Sequence, residues 1–119
     1  MFDDENIIFR YTSSQAEADG ILFDVTRINK AWENGLFNYV TTNLLNQCGY
    51  MDGEGQINIP NIIDLLNQCN QIVRRKSDNF KDFDTFFDGQ IELPSGKKQK
   101  VFIGQNETGK FTIMLPEDY

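Results

Sequence analysis

Pro60-Asn61-Ile62-Ile63-Asp64-Leu65-Leu66-Asn67-Gln68-Cys69-Asn70-Gln71-Ile72-Val73-Arg74-Arg75-Lys76 carries the strongest periodicity in the chain. Ile62, Ile63, Leu65, Leu66, Cys69, Ile72 and Val73 recur at steps of three and four, which places them on one face of a helix. Proline is tolerated in the first turn, where its missing N–H would have no partner. Arg74, Arg75 and Lys76 stand where positive charge meets the negative end of the helix dipole. The spacing predicts a helix over residues 60–76, with Leu66 and Cys69 facing a sheet.

The segments that follow predict that sheet. About Phe86–Leu93, Gln99–Ile103 and Phe111–Leu115 read as strands, separated by Pro94-Ser95-Gly96 and by Asn106-Glu107-Thr108-Gly109. Both separators are hairpin chemistry, in which glycine takes the left-handed backbone and asparagine or serine bonds its own turn. Phe111, Ile113 and Leu115 share one face of the last strand, as Val101 and Ile103 do in the middle one, because side chains alternate along a strand. An apolar meander face and an apolar helix stripe belong together.

Upstream the signals are more local. Residues 1–6 read as a loose terminus, and Ile7-Ile8-Phe9-Arg10-Tyr11 as a short strand. Thr12-Ser13-Ser14-Gln15 is a capping box, opening a helix to about Asp19 that Gly20 ends. Ile21–Val25 reads as a buried strand or an extended link. Thr26 is expected to cap a second helix through Glu33, with Trp32 as a core anchor and Asn34-Gly35 as its stop. A third helix is expected from about Asn38 to Cys48, with Tyr39, Val40, Leu44, Leu45 and Cys48 on its apolar face. The expected architecture is a single α+β domain over residues 1–119. Three or four helices pack on a three- to four-stranded, mostly antiparallel sheet that ends in a β meander.

Composition narrows the function classes. A chain of 119 residues with 39% hydrophobic and 24% charged residues is globular and large enough for one core, to which ten phenylalanines contribute. Its net charge of −7 disfavours direct nucleic-acid binding and anionic membranes, and suits a protein partner with a basic surface. With no histidine, a Ser-His-Asp hydrolase is excluded, and Cys48 and Cys69 make no zinc set and read as small buried hydrophobes. The acidic start Met1-Phe2-Asp3-Asp4-Glu5 lacks the basic region of a signal peptide. No apolar run approaches the roughly 20 residues of a membrane span. A cytoplasmic protein is expected. There is no phosphate-binding glycine motif and no catalytic constellation, and no cofactor is expected.

Two stretches invite chemistry. Tyr50–Asn61 resembles a calcium-binding EF-hand loop, with Asp52, Glu54, Gly55, Ile57 and Asn58 at matching positions. Tyr50 and Asn61 replace the first and last carboxylate ligands, however, so no metal site is expected, and the segment reads as a turn with positive φ at Gly53 and Gly55. The second stretch is the run Asp78, Asp82, Asp84 and Asp88, interleaved with Phe80, Phe83, Phe86 and Phe87. A solvated acidic loop is its bland reading. The functional one is a binding surface formed by Asp78, Phe80, Asp82, Phe83, Asp84 and Asp88. The clusters Arg74-Arg75-Lys76 and Lys97-Lys98-x-Lys100 read as a helix end and a hairpin tip.

Tyr11-Thr12-x-x-x-Ala16-x-x-Asp19-Gly20-Ile21-Leu22-x-Asp24-Val25 resembles the opening of a family of small bacterial proteins, a domain of unknown function found on chromosomes, plasmids and phages. Phe111-Thr112-Ile113-Met114-Leu115-Pro116-Glu117-Asp118 is similar to that family's closing strand. The resemblance implies a bacterial or mobile-element origin and transfers no activity. The expected role is a non-enzymatic protein-interaction module. Two alternatives are an acidic nucleic-acid mimic that inhibits a host defence or nucleic-acid enzyme, and a small metal-dependent enzyme built on the Asp78–Asp88 run.

Overall fold

The computed structural model describes residues 13–77 and 85–119. Along these run α1 (Ser13–Ala18), β1 (Leu22–Asp24), β2 (Phe37–Thr41), α2 (Thr42–Gln47), α3 (Ile59–Ser77), β3 (Phe86–Glu92), β4 (Lys98–Gln105) and β5 (Phe111–Met114). The expected loose terminus, the strand at Ile7–Tyr11 and the Thr12 cap lie outside the described residues.

The α+β class holds, and the sheet is larger than expected. It has five strands in the order β1-β2-β5-β4-β3. β3, β4 and β5 form the expected antiparallel meander. Gly96 and Gly109 take φ of +90° and +87° at its two turns. β2 then pairs parallel with β5, and β1 antiparallel with β2.

β2 corrects the expectation of a helix from Asn38 to Cys48. Phe37, Tyr39, Val40 and Thr41 are aromatic or β-branched, which suits a pleated surface. All five β2 residues are buried, so the strand shows no alternation that would distinguish it from a helix segment. The helix begins only at Thr42, where the Thr41 hydroxyl accepts from the Leu44 N–H at 3.4 Å.

The expected helix from Thr26 to Glu33 is instead two 3-10 turns, Val25–Arg27 and Lys30–Asn34. Asp24 caps the first, accepting the Thr26 N–H at 2.9 Å. Asn29 interrupts the run: its backbone is extended and its side chain accepts the Ala31 N–H at 3.0 Å, an alternative to continuing the helix. Trp32 is accordingly half-buried at the rim of the core rather than its anchor. α1 behaves as expected, and Gly20 ends it with φ +78°.

α3 lies across the meander. Ile62, Leu65, Cys69, Ile72 and Val73 are buried against Phe87, Ile91, Val101, Ile103 and Ile113. Cys69 faces the sheet as expected. Leu66 does not: it is half-buried on the flank of the helix, and Leu65 takes the fully buried place. At the free edge of β3 the Gln68 amide donates to the Glu92 carbonyl at 2.9 Å and accepts the Glu92 N–H at 2.8 Å, standing in for a neighbouring strand.

Residues 50–58 form a tight loop in which Met51 and Ile57 pair. Gly55 takes φ +78° there, whereas Gly53, contrary to expectation, has no positive φ. The Asp52 carboxylate accepts the Glu54 and Gln56 N–H groups at 2.8 and 2.9 Å, and the Asn58 side chain accepts the Asn61 N–H at 3.2 Å at the start of α3. Tyr50 is fully buried, and its hydroxyl has no hydrogen-bond partner among the described residues. An unsatisfied buried hydroxyl costs about 1–3 kcal/mol, so Tyr50→Phe should raise the melting temperature. A lower melting temperature would show that the hydroxyl has a partner.

Candidate functional site on the open sheet face

The sheet has two faces, and α3 covers one. On the other lie Thr41 from β2, Thr112 and Met114 from β5, Phe102 and Gly104 from β4, and Phe86 and Asp88 from β3. α1, the β4–β5 turn through Asn106, and the C-terminal turn Pro116–Asp118 with Tyr119 border this face. α1 buries Ala16 at the β1 end. Between it and Tyr119 a cleft of about 520 Å³ remains, lined by Ile21, Leu22, Thr41, Phe86, Met114 and Tyr119 among others.

Three aromatic rings cluster at the β3–β4 end. Phe86 and Phe102 lie 5.1 Å apart edge to face, Phe86 and Tyr119 lie 5.1 Å apart, and Phe102 and Tyr119 lie 5.6 Å apart. Phe86 is 39% exposed and Tyr119 80%. Lys100 places its ammonium 5.6 Å from the Phe102 ring centre. Asp88 stands beside them, bound by Lys76 at 3.2 Å and by Lys100 at 3.7 Å. The hydrogen bond and charge of Lys76, with Lys100 behind it, hold the Asp88 carboxyl below the ordinary aspartate range. One lysine from each of two basic clusters that are apart in the sequence thus meets the same aspartate.

Of the anticipated binding residues, Asp78, Phe80, Asp82, Phe83 and Asp84 lie outside the described residues. Asp88 is described, and it sits on β3 between Lys76 and Lys100. The residues the sequence reading missed are Phe102, Lys100 and Tyr119. Phe102 did carry a signal. It falls between Val101 and Ile103, out of phase with the buried face, so it must point to the other side. Tyr119 carried none, because only the C-terminal turn brings it back over the sheet.

The polar groups of the cleft are occupied by one another. The Asp118 carboxylate accepts from the Thr41 hydroxyl at 2.7 Å, the Asn43 amide at 2.9 Å and the Leu115 N–H at 3.2 Å. The Asn106 amide donates to Asn38 at 2.8 Å and to Thr112 at 3.0 Å. These bonds fix the C-terminal turn and the β4–β5 turn against β2. Burial pushes the Cys69 thiol up to about 12 and raises that of Cys48, so neither supplies a thiolate nucleophile at neutral pH. Among the described residues no three histidine, cysteine, aspartate or glutamate side chains gather as metal ligands, and no helix is long and apolar enough to cross a membrane.

Comparison of the chain with protein-family models, with curated proteins and with solved structures gives no match.

Proposed function

We propose that this chain is a non-enzymatic interaction module that holds a protein partner on the open face of its sheet, around Phe86, Phe102 and Tyr119. The observation that carries this reading is the exposed aromatic cluster. Aromatic rings supply large contact areas at little cost in side-chain entropy, and they are the usual anchors of protein interfaces. A sheet face that keeps them in water forgoes the stabilisation that covering them would bring. The cleft beside them has its hydrogen-bonding groups paired internally, which suits docking better than catalysis. Lys76, Asp88 and Lys100 form a polar rim, while the net charge of −7 steers a basic partner at long range. Under this reading the partner is a bacterial cytoplasmic protein, as the resemblance of the opening residues to a bacterial and mobile-element family would imply.

Site-specific crosslinking tests it. A photoreactive phenylalanine at position 102 should capture one discrete protein in cells that naturally express the chain. The same probe at Glu54, on the far loop, should not. The capture should weaken when Phe86 and Tyr119 are replaced by Asp. Equal capture from both positions, or none from position 102, would overturn the proposal.

A further inference from the structure

The Thr85 carbonyl accepts the Gln105 N–H, and the Leu93 N–H donates to the Lys97 carbonyl, both at 2.8 Å. The odd-numbered residues of β3 between them therefore turn their backbone groups toward β4, and Phe86, Asp88, Gln90 and Glu92 turn theirs outward. The Glu92 pair is taken by the Gln68 side chain, whose amide offers one donor and one acceptor as the peptide group of a next strand would. The outward N–H and C=O groups of Phe86, Asp88 and Gln90 have no partner among the described residues. Lys76 meets Asp88 through side chains alone. The register with β4 runs from Phe86 to Glu92 without a bulge, and a regular edge of this kind is a template for another strand. Between the edge and α3 lies a cavity of about 370 Å³ lined by Ile72, Arg75, Lys76, Gly89 and Gln90.

We propose that this edge is a slot for one extended segment of the partner protein, which adds as a strand along Phe86–Gln90 and turns an acidic side chain into the cavity beside α3. The proposal rests on the reading of the open face as a partner site and states how the partner is held there. Hydrogen bonding selects the occupant. Outward N–H and C=O groups repeated over about 17 Å of edge are matched by an extended backbone, whereas a helix has already paired its own. Gln68 sets one end, since a strand running past Glu92 would meet its amide. Alternate residues of the added strand face opposite sides. One set lies beside Phe86, at the margin of the aromatic cluster. The other set faces α3, where Arg75 and Lys76 favour a carboxylate and oppose a cation. The net charge of −7 acts at long range on the whole partner, while this cavity acts on a single side chain. In strand addition, backbone bonds supply the affinity and pockets for alternate side chains supply the specificity.

A phage-displayed random dodecapeptide library selected on the full chain supplies the probe, and fluorescence anisotropy of the enriched peptides reads the binding. The peptides should carry a carboxylate among alternating β-branched residues. Gln90→Pro removes one outward N–H and obstructs the slot while sparing the bonds to β4, so it should weaken binding at least about tenfold. Methylating the peptide amides one at a time needs no variant of the protein. Binding should fall at every second position and hold at those between, because only alternate N–H groups face β3. Peptides that are lost with Phe102→Asp but held by Gln90→Pro would overturn the slot and leave the aromatic face standing as the partner site. Enrichment of basic peptides, no enrichment, or binding indifferent to methylation would also overturn it.

Discussion

Leu65→Ala is expected to cost about 2–5 kcal/mol of stability, and Leu66→Ala much less. The two leucines are neighbours in one apolar stripe, yet they differ by about 100° around the helix, which is the rotation per residue. Leu65 is fully buried among the side chains of α3 and the sheet, so truncation leaves a cavity that the meander cannot close. Leu66 borders the cleft beside Trp32 and Ile63, where solvent can fill the vacated space. Urea titration of both variants measures the difference. Equal losses would mean that α3 is rotated toward Leu66.

Gly89→Ala should lose about 1–3 kcal/mol, although Gly89 has no positive φ and alanine suits a strand no worse than glycine does. The reason is contact. A Cβ at position 89 would lie 2.8 Å from Ile72 Cδ1 and 3.0 Å from its Cγ2. Here α3 approaches β3 closely enough that the strand must be bare. Ile72→Val removes the nearest of those atoms, so the Gly89→Ala, Ile72→Val pair should be more stable than the two single losses added together. Thermal melts of the three variants form the cycle. Simple additivity would show that the glycine serves some purpose other than spacing the helix from the sheet.

These two sites mark where sequence reading reached and where it stopped. α3 and the meander were legible because their signals are local: a stripe at helical spacing, a run of cations at the helix end, glycine-bearing turns at the right separations. The phase of α3 was not, since Ile62, Ile63, Leu65 and Leu66 form a stripe wider than one contact line, and only the packed partner selects Leu65. β2 was misread because a central strand buried on both faces loses the alternation that identifies a strand. The turn from Thr26 to Glu33 was misread because the Asn29 side chain captures a backbone N–H that a helix would have used. At the candidate site Asp88 was read as part of an acidic run, and its two lysines come from α3 and β4, which no spacing rule joins. The aromatic cluster likewise draws one ring each from β3, β4 and the C-terminal turn.

The parallel pairing of β2 with β5 has a consequence for how the chain assembles. Phe37 and Phe111 are partners in that pair, so closing it encloses most of the sequence. The meander and α3, by contrast, close through short connections. Loop closure costs more entropy as the enclosed chain lengthens, and contacts between distant residues form late. β3, β4, β5 and α3 can therefore collapse as a unit that leaves β5 as an open edge. β1 and β2 then complete the sheet by docking on that edge. Until they do, β5 exposes unpaired backbone beside Phe111 and Ile113, which is a template for the β2 of another molecule as much as for its own. The step that builds the centre of this sheet is thus also the one most exposed to exchange of strands between chains.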